Sequence, residues 1–242
     1  MNRKLYLTRC LGLLVALFSA SAWAGNVTLP YFQAFNTDTT NFLATYPEFT
    51  LTNSSTTAPS PSVQSGVLHL PGINPAGVYS YAVTPNPLPS GQMVVDLDMG
   101  NTSSVTQARL KLGNNDVVFH PEHPAAFRIE GPGGFPNTAT PFTPHVNILY
   151  HMHVVMDPSG LNSLTLTDPA NPGTPFNTSW TNVGARTGSI GPAWFFGEGL
   201  YDNFSITAAV PEPAGIALMA SMAGVFVKLH RSKRGSLRRS NS

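Results

Sequence analysis

Apolar and polar residues alternate with period 2 through much of the chain between Gly25 and Ala208, the spacing that sends successive side chains to opposite faces of a β-strand. ARLKLG sets Ala108, Leu110 and Leu112 on one face, with Arg109 and Lys111 on the other. HVNILYHMHVVMD sets Val146, Ile148, Tyr150, Met152, Val154 and Met156 against Asn147, His151, His153 and Asp157, and predicts one long strand. DPSG then supplies turn residues and LNSLTLTD returns, a hairpin signal. SGVLHLPG, GVYSYAVT, GQMVVDLDM, NDVVFH, AFRIEG, AWFFG and LYDNFSIT read as further strands. Pro, Gly, Asn, Ser and Thr punctuate the pattern about every 8 to 12 residues. No segment carries a convincing helical stripe. About ten short strands with such punctuation predict an all-β fold, an antiparallel two-sheet jelly-roll sandwich. The stretch TLTNSSTTAPSPSVQS, from Thr50, is expected to be a loop.

The two ends depart from this pattern. Residues 1–24 open with Arg3, Lys4 and Arg9, continue with the apolar LGLLVALFSA, and close on SAWA, with small residues at Ala22 and Ala24. This is the layout of a secretory signal peptide cleaved before Gly25. The only cysteine, Cys10, falls inside it. The mature chain then has no thiol chemistry and no disulfide, and its stability rests on a packed core. At the other end, Ala214 to Val227 is an uncharged run, followed by Lys228, Arg231, Lys233, Arg234, Arg238 and Arg239. As a helix the run spans about 21 Å. Leu229 extends it while Lys228 snorkels, and the basic cluster holds its end on the cytoplasmic side. Pro211 and Pro213 keep the chain extended around Glu212.

Val210, Pro211, Glu212 and Pro213, then the apolar run, then the basic end, resemble the PEP-CTERM sorting signal of Gram-negative bacteria. The resemblance implies three parts: residues 1–24 a signal peptide, 25–208 a β-sandwich domain, and 209–242 a sorting tail with a single transmembrane helix. It implies an exosortase as partner, transient anchoring in the inner membrane, and release to the cell surface or outside. Within the body, SVQSGVLHLPG, ILYHMHVVMDPSGLNSLTLTD and EGLYDNFSIT resemble strands of concanavalin-A-like or laminin-G-like jelly rolls.

The net charge of +1 averages three unlike parts. Gly25 to Ala208 holds four basic residues, Arg109, Lys111, Arg128 and Arg186, against 11 acidic ones, a net of −7. An acidic body excludes nucleic acid as a partner, because phosphate contacts need clustered Lys and Arg.

Candidate chemistry is sparse. Asp202 has the parity of Leu200, Phe204 and Ile206, which places it with the core side. A carboxylate there has to accept backbone amides, pair with Arg186 or Arg128, or join Asn203 and carbonyls around Ca²⁺. His151 and His153 project to one side of their strand, a spacing that suits a transition metal, with His120, Glu122, His123 and His145 as further candidates. Polar residues at period 2 are equally what a solvated sheet face looks like. Asp96 and Asp98 share a face, but the strand motif of the jelly-roll glucanases, Glu-x-Asp-x-x-Glu, is missing. Trp180, Trp194 and Tyr201 are core aromatics or sugar-stacking platforms. The expectation is a non-catalytic structural or adhesive protein that needs no cofactor and is associated with polysaccharide. The alternative is a carbohydrate-active hydrolase or lyase.

Overall fold

The computed structural model describes residues 25–52, 60–71, 79–104, 107–121, 126–194 and 198–208. The expected signal peptide and sorting tail, with Val210 to Pro213 and the basic end, lie outside these residues. Among the described residues no helix is long and apolar enough to cross a membrane.

In chain order the strands are β1 (Asn26–Val27), β2 (Tyr31–Gln33), β3 (Thr50–Thr52), β4 (Ser62–Gln64), β5 (Val67–Pro71), β6 (Tyr79–Ala82), β7 (Thr84–Pro85), β8 (Met93–Asn101) and β9 (Ala108–Leu112). There follow β10 (Asn115–Phe119), β11 (Phe127–Glu130), β12 (Phe135–Thr138), β13 (Tyr150–Met156), β14 (Leu161–Thr167), β15 (Phe176–Thr181), β16 (Ile190–Trp194) and β17 (Glu198–Ala208). They form an antiparallel two-sheet jelly-roll sandwich. One sheet runs β12-β11-β10-β9-β16-β6-β3, and the other runs β15-β14-β13-β8-β17-β5-β4, with β2 also on β17. A short parallel pair, β1 and β7, lies outside both.

Alternation explains the layers. In β8, Met93, Val95, Leu97 and Met99 are buried, while Val94, Asp96 and Asp98 are not. In β13, Tyr150, Met152, Val154 and Met156 are buried. These residues meet Leu110, Leu112, Val117 and Phe119 of the facing sheet in one core. Each fully buried aliphatic or aromatic side chain stabilises by about 1.5–3 kcal/mol. A one-turn helix, α1 (Phe42–Thr45), adds Phe42 to an aromatic cluster. Phe42 lies 5.4 Å from Tyr81 of one sheet, and Phe49 lies 6.0 Å from Phe204 of the other, so the cluster bridges both layers. Trp180 and Tyr201 are buried core aromatics. The Tyr201 hydroxyl donates to the Ala193 carbonyl and accepts from the Arg109 amide at 3.1 Å, which ties β17 to the opposite sheet.

Three expectations need correction. The stretch from Thr50 is not all loop, since its first three residues form β3 and Ser62–Gln64 form β4. The long strand expected from His145 starts only at Tyr150. Asn147 takes a left-handed conformation, φ +60°, and its amide donates to the Asn101 carbonyl at 2.7 Å. The Ile148 carbonyl lies over Gly100, where an added Cβ would stand 2.2 Å from it. The segment thus crosses the end of the sheet rather than joining it. Asp202, the third case, belongs to the site.

Candidate functional site

The outward face of the eight-stranded sheet gathers most of the sequence candidates. Asp202 is there because β17 carries a bulge. Asp202 opposes Asp98 and Ser205 opposes Asp96, so Asn203 and Phe204 together face only Leu97. Asn203 adopts φ +51°, a left-handed conformation that Asn tolerates better than most residues. The extra residue reverses the pleat. Before the bulge Tyr201 points into the core; after it Phe204 and Ile206 do. Counting parity straight through the strand puts Asp202 on the wrong side. It stands half-exposed on the outer face, where its Oδ1 accepts the Asn203 amide at 2.7 Å. Neither proposed arginine is its partner. Arg186 donates to the Pro89 and Gly91 carbonyls, and Arg128 to Glu130, Gln107 and Asn137.

The histidines pair with the acids of β8. His151 and Asp98 are Cα partners, as are His153 and Asp96. His153 Nδ1 lies 2.7 Å from Asp96 Oδ1. His151 reaches both acids, with Nδ1 2.8 Å from Asp98 and Nε2 3.4 Å from Asp96. Bonds to Asp96 and then Asp98 push the His151 imidazole up to about 9, so it is charged at neutral pH. Burial raises both Asp96 and Asp98, but the imidazoles outweigh it and both lie below the usual carboxylate range. Asn203 Nδ2 donates to the second oxygen of Asp98 at 2.7 Å. Asp202 goes the other way: burial raises it, and the Asp98 charge adds to the rise.

The face is therefore a hydrogen-bonded Asp–His lattice, the solvated sheet face that the alternation allowed. Among the described residues no group of three or more His, Cys, Asp or Glu is arranged to hold a metal ion. His120 and His145 are not part of the lattice; His145 lines a separate hollow of about 330 Å³ with Phe142, Ile148 and Asp168. Glu122 and His123 lie outside the described residues.

One residue of this face was not legible in the sequence. Phe32 of β2 is 67 % exposed, beside a hollow of about 190 Å³ lined by Gln33, Ala34, Asn203, Phe204 and Ser205. It is the Cα partner of Ser205. A large exposed aromatic beside amide groups, with carboxylate and imidazole groups two and three strands away on the same face, can stack on an apolar ring face while the polar groups take hydroxyls.

No protein-family model matches the chain, and no curated protein does. Several solved structures are similar in fold. A sialidase gives a TM-score of 0.52 at 13% identity over 74% of this chain, which spans only 18% of that protein's length. The CBM2 module of the evolved Dit of Lactobacillus casei BL23 phage J-1 gives 0.46 at 14% identity, over 75% of this chain and 96% of the module. Peanut lectin gives 0.44 at 10% identity, over 75% of this chain and 100% of the lectin. At such identities the likeness concerns the fold alone.

Proposed function

We propose that this is an exported, surface-sorted protein whose sandwich binds polysaccharide without turning it over, in a structural or adhesive role. The observation that carries the binding part is the exposed Phe32 set against the Asp–His lattice on one open sheet face. An exposed ring on a polar sheet face is available to stack on a ligand. Such a ring beside fixed polar groups is what a sugar needs, because a pyranose has apolar faces and a hydroxylated rim. A glycan array probed with the protein tests this. Binding that Phe32→Ala abolishes supports it; no binding to any sugar defeats it.

The sorting part is supported by the order of features after Val210. Val210, Pro211, Glu212 and Pro213 would be the element that an exosortase grips. The apolar run from Ala214 would hold the tail in the inner membrane, and Lys228, Arg231, Lys233 and Arg234 would stop it on the cytoplasmic side. Glu212→Ala should then cause a longer, unprocessed form to accumulate in cells. A chain of unchanged size and location would mean a plain anchor instead.

A second reading, a hydrolase on the same scaffold, is favoured by one observation. Asp202 is pushed up and its neighbour Asp98 down, the divergence that an acid and a base require. Release of sugar products, lost in Asp98→Asn, would establish it.

A further inference from the structure

We propose that the ligand lies across the strands, along the row Phe32–Ser205–Asp96–His153–Thr165–Asn177, and is an internal stretch of a linear polysaccharide without acidic groups. This rests on the sugar-binding reading above and adds the ligand's axis and charge class.

The axis follows from register. Phe32 opposes Ser205, Ser205 opposes Asp96, Asp96 opposes His153, His153 opposes Thr165, and Thr165 opposes Asn177. Six strands in one row give five steps of about 4.8 Å, or roughly 24 Å, which is about one pyranose ring per step. The row offers an aromatic ring and, past the buried Ser205, carboxylate, imidazole, hydroxyl and amide in succession. Thr165 donates to Asn177 at 2.8 Å, so the far end is as fixed as the Asp96–His153 pair in the middle. Among the described residues, β2 pairs only with β17, and β15 ends its sheet. Among the described residues no strand closes the row at either end, which leaves both ends open to a polymer.

The charge class follows from what the face lacks. On this face the four carboxylates of Asp96, Asp98, Asp202 and Glu198 outnumber the three imidazoles of His69, His151 and His153, so the face is net negative whatever charge the imidazoles carry. The four cations of the body are elsewhere. Arg109, Lys111 and Arg128 lie on the other sheet among Asp116 and Glu130, and Arg186 is held by backbone carbonyls. A polyuronate or sulfated chain would set its charges over these acids with no lysine or arginine beside them.

Calorimetry on the protein tests both parts, using oligomers of one to six units of glucose, mannose, galactose and N-acetylglucosamine, together with oligogalacturonates. In a series that binds, affinity should rise about tenfold or more from dimer to pentamer. Reducing the terminal unit of the hexamer should change nothing. Asn177→Ala should weaken the hexamer about fivefold, one hydrogen bond's worth, and leave the trimer at Phe32 unaffected. Ser179→Ala, on the same strand but off the row, should alter neither. A monomer that binds as tightly as a hexamer, loss of binding on end reduction, or preference for oligogalacturonate would overturn this inference and leave sugar binding standing. Binding to none of the sugars would bring down the sugar-binding reading, and this inference with it.

Discussion

Asp202 stands directly across the ladder from Asp98, two carboxylates on adjacent strands of a face that, among the described residues, carries no lysine or arginine. Like charges in that position repel: burial and then the Asp98 charge raise Asp202, while hydrogen bonds from His151 and Asn203 keep Asp98 low. Asp202→Asn removes the repulsion and keeps the shape. It should stabilise the protein at pH 7 by about 0.5 kcal/mol. A folded carboxyl raised above its unfolded value weakens the fold as pH rises through that unfolded value, so the gain should vanish near pH 3. Urea unfolding at the two pH values checks both statements.

The bulge rests on the left-handed Asn203. Asn203→Gly suits that conformation and should change stability by a few tenths of a kcal/mol, offset by the lost bond to Asp98. Asn203→Val cannot adopt it without strain and should cost about 1–2 kcal/mol. Equal effects of the two variants in thermal unfolding would contradict the role given to the bulge.

Tyr201→Phe should cost about 1–3 kcal/mol although the ring remains, because the Ala193 carbonyl and Arg109 amide lose a buried partner. Denaturant midpoints at constant slope would measure it.

His151 makes stability fall at alkaline pH. Its folded value is raised to about 9, so its contribution is complete below about pH 6.5, the unfolded value, and is lost as pH climbs through 9. His151→Gln should flatten the wild-type decline between those limits. The imidazole is 47 % exposed, so the effect should shrink in high salt.

How far the sequence carried the structure differs from strand to strand. β8, β13 and β14 were legible because each alternates over seven or more residues and buries one side. β1, β2, β3, β4 and β7 span two or three residues and leave no periodic signal. The shared side of His151 and His153 was readable, since it is local. Their pairing with Asp98 and Asp96 was not, because it depends on register between segments more than 50 positions apart. Asp202 was misplaced because parity holds only until a bulge, and Asn-Phe gives no warning of one. Phe32 escaped notice among Tyr31 and Phe35, aromatics that turn inward.

The most direct test of sugar binding at this face is hydroxyl-radical footprinting of the protein with and without a bound polysaccharide. Phe32, His151 and His153 should lose reactivity on binding, while His145 and Phe142, at the other hollow, should keep theirs. Protection of His145 and Phe142 with Phe32 still reactive would contradict the account.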